Sequence, residues 1–253
     1  MNLFDTHCHI NLDVYDNDRE LVLSNAKKNG VSRILVPAIR YTHWDKIIEL
    51  SNKNINLYPA LGLHPLFAKN HAKEDLVKLE QYIKKQRLAA IGEIGLDFFH
   101  PKFDKKLQEF YFQGQLELAQ IYNLPVIIHA RKTHENILKI IKKYSLPGGI
   151  CHAFNGSIQQ AVRYIDLGFK LGFGGSLTYK NSRKIQQLAT QIPIESIVLE
   201  TDAPDMVGSN HRYQRNSPEY LPEVAEKLSE LKKISLAELA EKTTFNGMDV
   251  LKT

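Results

Sequence analysis

The sequence predicts an α/β fold, a single (β/α)8 TIM-type barrel spanning residues 1–253. Three observations carry that reading. Short apolar runs recur along the chain, amphipathic segments lie between them, and no Ser-rich linker, low-complexity tract or composition break divides the whole. Eight runs over 253 residues give about 32 residues per unit, near the roughly 30 of a strand–helix–strand step. An open doubly wound sheet is the competing architecture. It is disfavoured because no Gly-x-Gly-x-x-Gly turn follows the first run.

The eight runs are Leu3 to Thr6, Arg33 to Ala38, Leu57 to Leu63, Ala89 to Ile94, Pro125 to Ile128, Gly148 to Cys151, Phe169 to Phe173 and Ser196 to Leu199. Most are rich in Val, Ile, Leu and Phe, as strands buried on both faces should be. Gly148 to Cys151 carries the least apolar signal. Helical spacing of apolar residues marks four segments between them. Leu107, Phe110, Tyr111, Leu118 and Ile121 form the first, which stops before Pro125; Gly114 falls on the same face. Ile137, Leu138, Ile141 and Tyr144 form the second, ending at Pro147-Gly148. Ile158, Ala161, Val162 and Ile165 form the third, ending at Gly168, and Val224, Leu228 and Leu231 the fourth.

Composition narrows the class. Hydrophobic residues make up 43% and charged residues 24%, which excludes a disordered chain. Two cysteines exclude a disulfide-dense secreted scaffold. No signal peptide is read at Met1-Asn2-Leu3-Phe4-Asp5 and no apolar run reaches a membrane span, so a cytoplasmic protein without membrane association is expected. Thirty-three Lys and Arg against 28 Asp and Glu leave a charge of +5. The basic clusters around Lys84, Lys105, Lys142 and Lys232 fall mostly on helices, whose outer faces look away from a barrel mouth, so they are read as solvated.

The histidines are informative. In this fold the active site lies at the C-terminal ends of the strands. There the sequence has Asp5-Thr6-His7-Cys8-His9, His64-Pro65, Gly92-Glu93 through Asp97, His129-Ala130-Arg131, His152 and Glu200-Thr201-Asp202. Strand alternation puts Asp5, His7 and His9 on one face and Thr6 and Cys8 on the other. Cys8 and Cys151 then point into the helix layer and are not expected to be ligands. The set His7, His9, Glu93, His129, His152 and Asp202 holds too many ligands for one tetrahedral ion and suits two divalent ions sharing a carboxylate. Imidazole with carboxylate favours Zn, Mn, Fe or Ni and leaves Mg open.

In order, these segments, with Gly62-Leu63-His64-Pro65, Cys151-His152-Ala153-Phe154-Asn155-Gly156-Ser157 and Leu199 to Pro204, resemble the motifs of the TatD-type metal-dependent deoxyribonucleases, and most closely their YjjV branch. The resemblance runs from Asp5 to Asn246. It implies a TIM-type barrel like that of the amidohydrolases, with His7, His9 and Asp202 on a first ion, Glu93 bridging, and His129 and His152 on a second. Arg215-Asn216-Ser217-Pro218 resembles the segment after the eighth strand. Asp205 departs from the aromatic residue that many members carry there. Another carboxylate near the mouth could narrow tolerance for a polyanion.

The resulting expectation is metal-assisted hydrolysis of phosphodiester bonds in DNA, single-stranded or at 3′ ends, by an exonuclease-like enzyme with no obligate protein partner. Glu93, Asp202 and His64 are the expected catalytic residues. Asp202 could orient or deprotonate the attacking water. His64 could donate to substrate or leaving group, or merely pack before Pro65. Arg131 could reach a phosphate or pair with a nearby carboxylate; Arg215 is a second phosphate candidate. Glu200 is expected to support a ligand rather than bind an ion. A path for a single strand would run over Phe67, Phe98, Phe99, His100, Arg131, Tyr179, Arg212, Tyr213 and Arg215. His43, His71, His100, His134 and His211 are expected to be ordinary residues. Two alternatives remain from sequence: an amidohydrolase-like enzyme acting on a small amide, lactone or aminoacyl ester, and a non-catalytic binding barrel, against which the full ligand set argues.

Overall fold

Eight buried apolar segments need a sheet with both faces covered, and the chain supplies one. The computed structural model describes residues 2–253. Its elements alternate as β1 (Leu3–Asp5), α1 (Arg19–Lys28), β2 (Val31–Pro37), α2 (Trp44–Lys53), β3 (Leu57–Leu61), α3 (Glu74–Lys85), β4 (Ala90–Asp97), α4 (Lys105–Ile121), β5 (Val126–Arg131), α5 (His134–Ile141), β6 (Gly149–Cys151), α6 (Ile158–Asp166), β7 (Phe169–Phe173), α7 (Arg183–Gln191), β8 (Ile197–Leu199), α8 (Leu221–Lys232) and α9 (Leu236–Leu251). All strands are parallel and ordered β1 to β8. Backbone bonds from the segment just after β1 to the end of β8 and the segment beyond it close the ring. Thr6 N–H donates to Leu199 O at 2.9 Å, and His9 N–H to Ala203 O at 2.8 Å.

The eight apolar runs are thus the eight strands, with differences at their ends. β4 continues to Asp97 and β5 to Arg131, so polar residues expected beyond the strands are within them. β1 stops at Asp5, and alternation does not carry across that end. Asp5, expected beside His7 and His9, instead accepts from Thr201 Oγ1 at 2.6 Å and from Thr201 N–H at 2.9 Å.

Alternation along the remaining strands separates two cores. The larger lies between barrel and helices and contains Cys8 and Cys151, both unpaired thiols. The smaller groups Phe4, Leu35, Ala60, Ala90, Ile127, Ile150 and Val198, and Val250 and Leu251 of α9 pack under it. Ile127, Ile150 and Val198 precede His129, His152 and Glu200 by two residues, so they lie on the same face, lower in the barrel.

α4 differs from its apolar reading. Its buried face is Gln108, Tyr111, Phe112, Gln115, Leu116 and Ala119, while Phe110 and Ile121 are exposed. The two glutamines are inward because they hold strand ends. Gln115 Oε1 accepts from Leu63 N–H at 2.7 Å, and Gln108 Oε1 accepts from Asp97 N–H at 2.9 Å. Gly114 allows α3 close, since a Cβ there would lie 2.8 Å from Leu76 Cδ1.

Candidate metal centre

Where β1, β4, β5, β6 and β8 open at the barrel mouth, their side chains converge. His7 Nε2 lies 3.3 Å from His9 Nε2 and 3.1 Å from Glu93 Oε2. Asp202 Oδ1 is 3.7 Å from His7 Nε2 and 3.5 Å from His9 Nε2. The other oxygen of Glu93 faces a different set. Oε1 is 2.8 Å from His129 Nδ1, 3.3 Å from His64 Nε2 and 3.9 Å from His152 Nε2. His152 Nε2 also lies 3.7 Å from Asp202 Oδ2. All six expected ligands therefore meet at one place. Three groups in it have ligand-atom spacing suited to a cation: His7, His9 and Asp202; His7, Glu93 and His152; and His64, Glu93 and His129. The cysteines are in none of them.

The backbone that carries the cluster is irregular where it must be. A register shift between Ile91 and Ile94 interrupts the β4 ladder at Glu93, whose N–H bonds Ala38 O at 2.9 Å. Asp202 takes a left-handed backbone at φ 56°, held by its N–H on His7 O at 2.8 Å. At Gly172 a Cβ would lie 2.1 Å from Glu200 Oε2, so glycine there leaves the space that the Glu200 carboxylate fills.

Supporting contacts aim the imidazoles. His9 Nδ1 bonds Pro37 O at 3.0 Å, His129 Nε2 faces Asp97 Oδ2 at 3.3 Å, and His152 Nδ1 lies 3.0 Å from Glu200 Oε1. Glu200 thus has the supporting place expected of it. Asp97 has the same role at His129, and sequence reasoning assigned it none; its place two residues past Gly95 in an inward-facing strand end was the available signal. His64 is different. Its Nδ1 accepts from Leu66 N–H at 3.1 Å, so in the neutral ring Nε2 carries the proton and donates to Glu93.

The charges interlock. Burial opposes ionisation of Glu93, but the imidazoles of His64, His7 and His129 hold its carboxyl well below the usual range. Burial pushes Asp202 up to about 8, reinforced by Glu93, Glu200 and Asp205 and opposed by His152. Burial works against the His152 imidazolium, yet Glu200 and Asp202 push it up to about 10. Burial lowers His9, and burial with His152 lowers His7. Burial also brings His64 down to about 4.

The donor set fits a divalent cation. Two neutral imidazoles face each other through Nε2 at 3.3 Å with carboxylate oxygens beside them. Such a point offers more acceptors than protons, which a cation between them satisfies. Of the other candidates, Arg131 lines the cleft above the cluster and stacks on Phe99, 3.7 Å from its centroid. Arg215 is placed differently from expectation. It donates to Val14 O at 2.6 Å and Asp18 Oδ1 at 3.0 Å, stacks on Tyr15 and does not line the cleft. Asp205 and Phe67 line the cleft; Phe98, Phe99, His100, Tyr179, Arg212 and Tyr213 do not. His134 is more than an ordinary helix residue, since its Nε2 bonds Asn155 Oδ1 at 3.2 Å on the cleft wall.

A parallel barrel whose mouth gathers histidines and carboxylates around one cleft defines the class of metal-dependent hydrolases. Comparison with known proteins makes the class specific. The family model for TatD-related DNases matches residues 4–252. The chain is 38% identical to the uncharacterized metal-dependent hydrolase YjjV of Escherichia coli K12, over 94% of this chain and 93% of that one. It is 37% identical to the uncharacterized metal-dependent hydrolase YabD of Bacillus subtilis, over 97% of both. The crystal structure of the E. coli YjjV TatD homologue superposes with a TM-score of 0.96 at 36% identity, over 99% of this chain and 98% of that one. The chain belongs to the TatD-related DNase family and is a metal-dependent hydrolase. Among the described residues no helix is long and apolar enough to cross a membrane.

Proposed function

We propose that the protein is a deoxyribonuclease that hydrolyses phosphodiester bonds at DNA ends, with two divalent ions at the barrel mouth. The observation that carries this reading is the split orientation of Glu93. One oxygen faces His7 and the other faces His129 at 2.8 Å, which is what a carboxylate shared by two cations needs. His7, His9 and Asp202 would hold one ion and His129 and His152 the other. Manganese, zinc, nickel, iron and magnesium all remain compatible with these ligands. When bound, such a pair makes hydroxide available near neutral pH and offsets charge on phosphoryl oxygens.

The chain's own residues do the rest. Asp202, whose carboxyl lines the cleft, would orient the attacking water and take its proton. His64, its tautomer fixed by Leu66, keeps its single N–H on Glu93 in the metal-free chain and would turn it to the leaving oxygen once Glu93 holds the cations. Arg131 binds a phosphate from the rim, held in place by Phe99. The test is nucleotide release from single-stranded DNA by protein reconstituted with manganese, with Glu93→Ala as control. Release by the wild type and its loss in the variant are expected. No release by the wild type, or equal release by the variant, overturns the proposal.

A further inference from the structure

The cleft over Glu93 encloses about 530 Å³, a volume in the range of sites for single small ligands. Its walls are unlike. Over β8, β1, β2 and β3 it is lined by Met206, Leu12, Ile39, Leu66 and Phe67; over β5 and β6 it is lined by Arg131 and Asn155. Each wall holds an arginine stacked on a phenylalanine, in opposite order. Phe67 faces the cleft, and the Arg40 guanidinium, which does not line it, covers the ring 3.8 Å from its centroid. On the other wall Arg131 faces the cleft, and Phe99, outside it, is the ring it stacks on. Arg19, Arg163 and Arg215 are ion-paired, whereas among the described residues Arg40 and Arg131 are not. Asn155 Oδ1 is taken by His134, which leaves its amide NH2 as a donor on the Arg131 side.

We infer that this cleft is a subsite for one terminal nucleoside. Its base stacks on Phe67, its phosphodiester lies over Glu93, and the next phosphate is held by Arg131 and Asn155. This rests on the phosphodiesterase reading above. The cation on one face of Phe67 fixes the ring and leaves the other face for a base. Stacking on a phenylalanine uses the π-face that every base has, so this wall is indifferent to base identity. Of the two stacked arginines only Arg131 lines the cleft, so a chain ends on the Phe67 side and continues on the Arg131 side.

Two esters with one leaving group read the subsite: thymidine 5′-(p-nitrophenyl phosphate) and methyl p-nitrophenyl phosphate, both with the manganese-loaded protein. The wild type is expected to favour the thymidine ester by about tenfold in kcat/KM. Phe67→Ala removes that preference, Phe67→Trp retains it, and Arg40→Ala lowers it about two- to fivefold. A general folding defect lowers both rates together and leaves their ratio unmoved. A wild-type ratio near one, or a ratio that survives Phe67→Ala, overturns the inference. If neither ester turns over, the phosphodiesterase reading fails by itself. Calorimetric binding of thymidine 5′-monophosphate then decides the subsite. A loss of about tenfold in affinity on Phe67→Ala supports it, and unchanged affinity overturns it.

Discussion

The base and the mouth of the barrel are built from the same strands and differ in everything but backbone. At the base, Ile127, Ile150 and Val198 meet other apolar side chains and are closed from below by Val250 and Leu251. Two residues further along β5, β6 and β8, the same face presents His129, His152 and Glu200. The base contributes burial that no ligand is needed to realise. The mouth gathers buried polar groups, and His7 Nδ1 and Glu200 Oε2 find no hydrogen-bond partner within the chain. Each such group costs about 1–3 kcal/mol. The base therefore stabilises the protein, and the mouth is held at a cost; what a bound cation relieves there is the crowding of the His7, His9, Glu93 and Asp202 ligand atoms.

That division can be broken by one pair of variants. Glu93→Gln keeps the shape of the bridging side chain and removes its charge. We expect turnover to fall by at least about 10³-fold and the rise in Tm produced by manganese to shrink, because less cation is bound. Ile150→Ala, at the base, should lower the unfolding free energy by about 2–5 kcal/mol and leave kcat per folded molecule unchanged. Thermal unfolding with and without manganese, alongside kinetics, checks both. If Ile150→Ala lowered kcat as Glu93→Gln does, base and mouth would form one functional unit.

A smaller effect sharpens the comparison within the mouth. Glu200 touches no candidate ion directly but lies 3.0 Å from His152 Nδ1. Its loss should weaken manganese binding about 10- to 100-fold. In the metal-free chain His152 is pushed up to about 10 and Asp202 to about 8, so at pH 7 each holds a proton that a cation must displace. Affinity therefore climbs as pH rises, most steeply below about 8, and flattens above about 10. Glu200→Gln lowers His152 and relieves part of that competition at neutral pH. The loss of affinity in Glu200→Gln should accordingly be greater at pH 9 than at pH 7. Equal loss at both, measured by metal titration, would mean that Glu200 orients His152 without influencing its proton.

How much of this is legible in the sequence follows from the same contrast. The strands are apolar on both faces at their lower ends, so all eight stand out as runs. Their upper ends turn polar where the site begins, and β4 and β5 therefore read shorter than they are. The six converging residues were legible because the fold puts strand ends together. Asp5 was misplaced because the alternation rule fails where β1 ends. α9 left no apolar stripe to read, since its buried positions include Thr243, Thr244, Asn246 and Gly247. Asn246 is inward to bond Ile194 O at 2.7 Å and Ile197 O at 2.8 Å, and at Gly247 a Cβ would lie 3.0 Å from Phe4 Cδ1. Arg40 was invisible for another reason. It sits in no motif, and its meaning comes from Phe67, a neighbour in space on the next strand–helix unit.

The two arginines that the sequence offers to a phosphate give the smallest and most discriminating prediction. Arg131 and Arg215 are both phosphate candidates in the sequence, Arg215 the weaker because loop arginines are often merely solvated. In the structure Arg131 is exposed on the cleft and free of carboxylates, while Arg215 is bound to Val14 O and Asp18 and stacked 4.4 Å from the Tyr15 centroid. Arg215 thus ties the segment after β8 to the segment before α1. A partly exposed ion pair contributes about 0–1 kcal/mol and the stacking a similar amount. Arg215→Ala should lower Tm by roughly 2–4 °C and leave KM for a short single-stranded oligonucleotide within about twofold of wild type. Arg131→Ala should raise that KM about tenfold, the loss of one charge-assisted contact, with little change in Tm. An equal rise in KM for Arg215→Ala would show that its pairing with Asp18 opens when substrate arrives, and would return Arg215 to the binding surface.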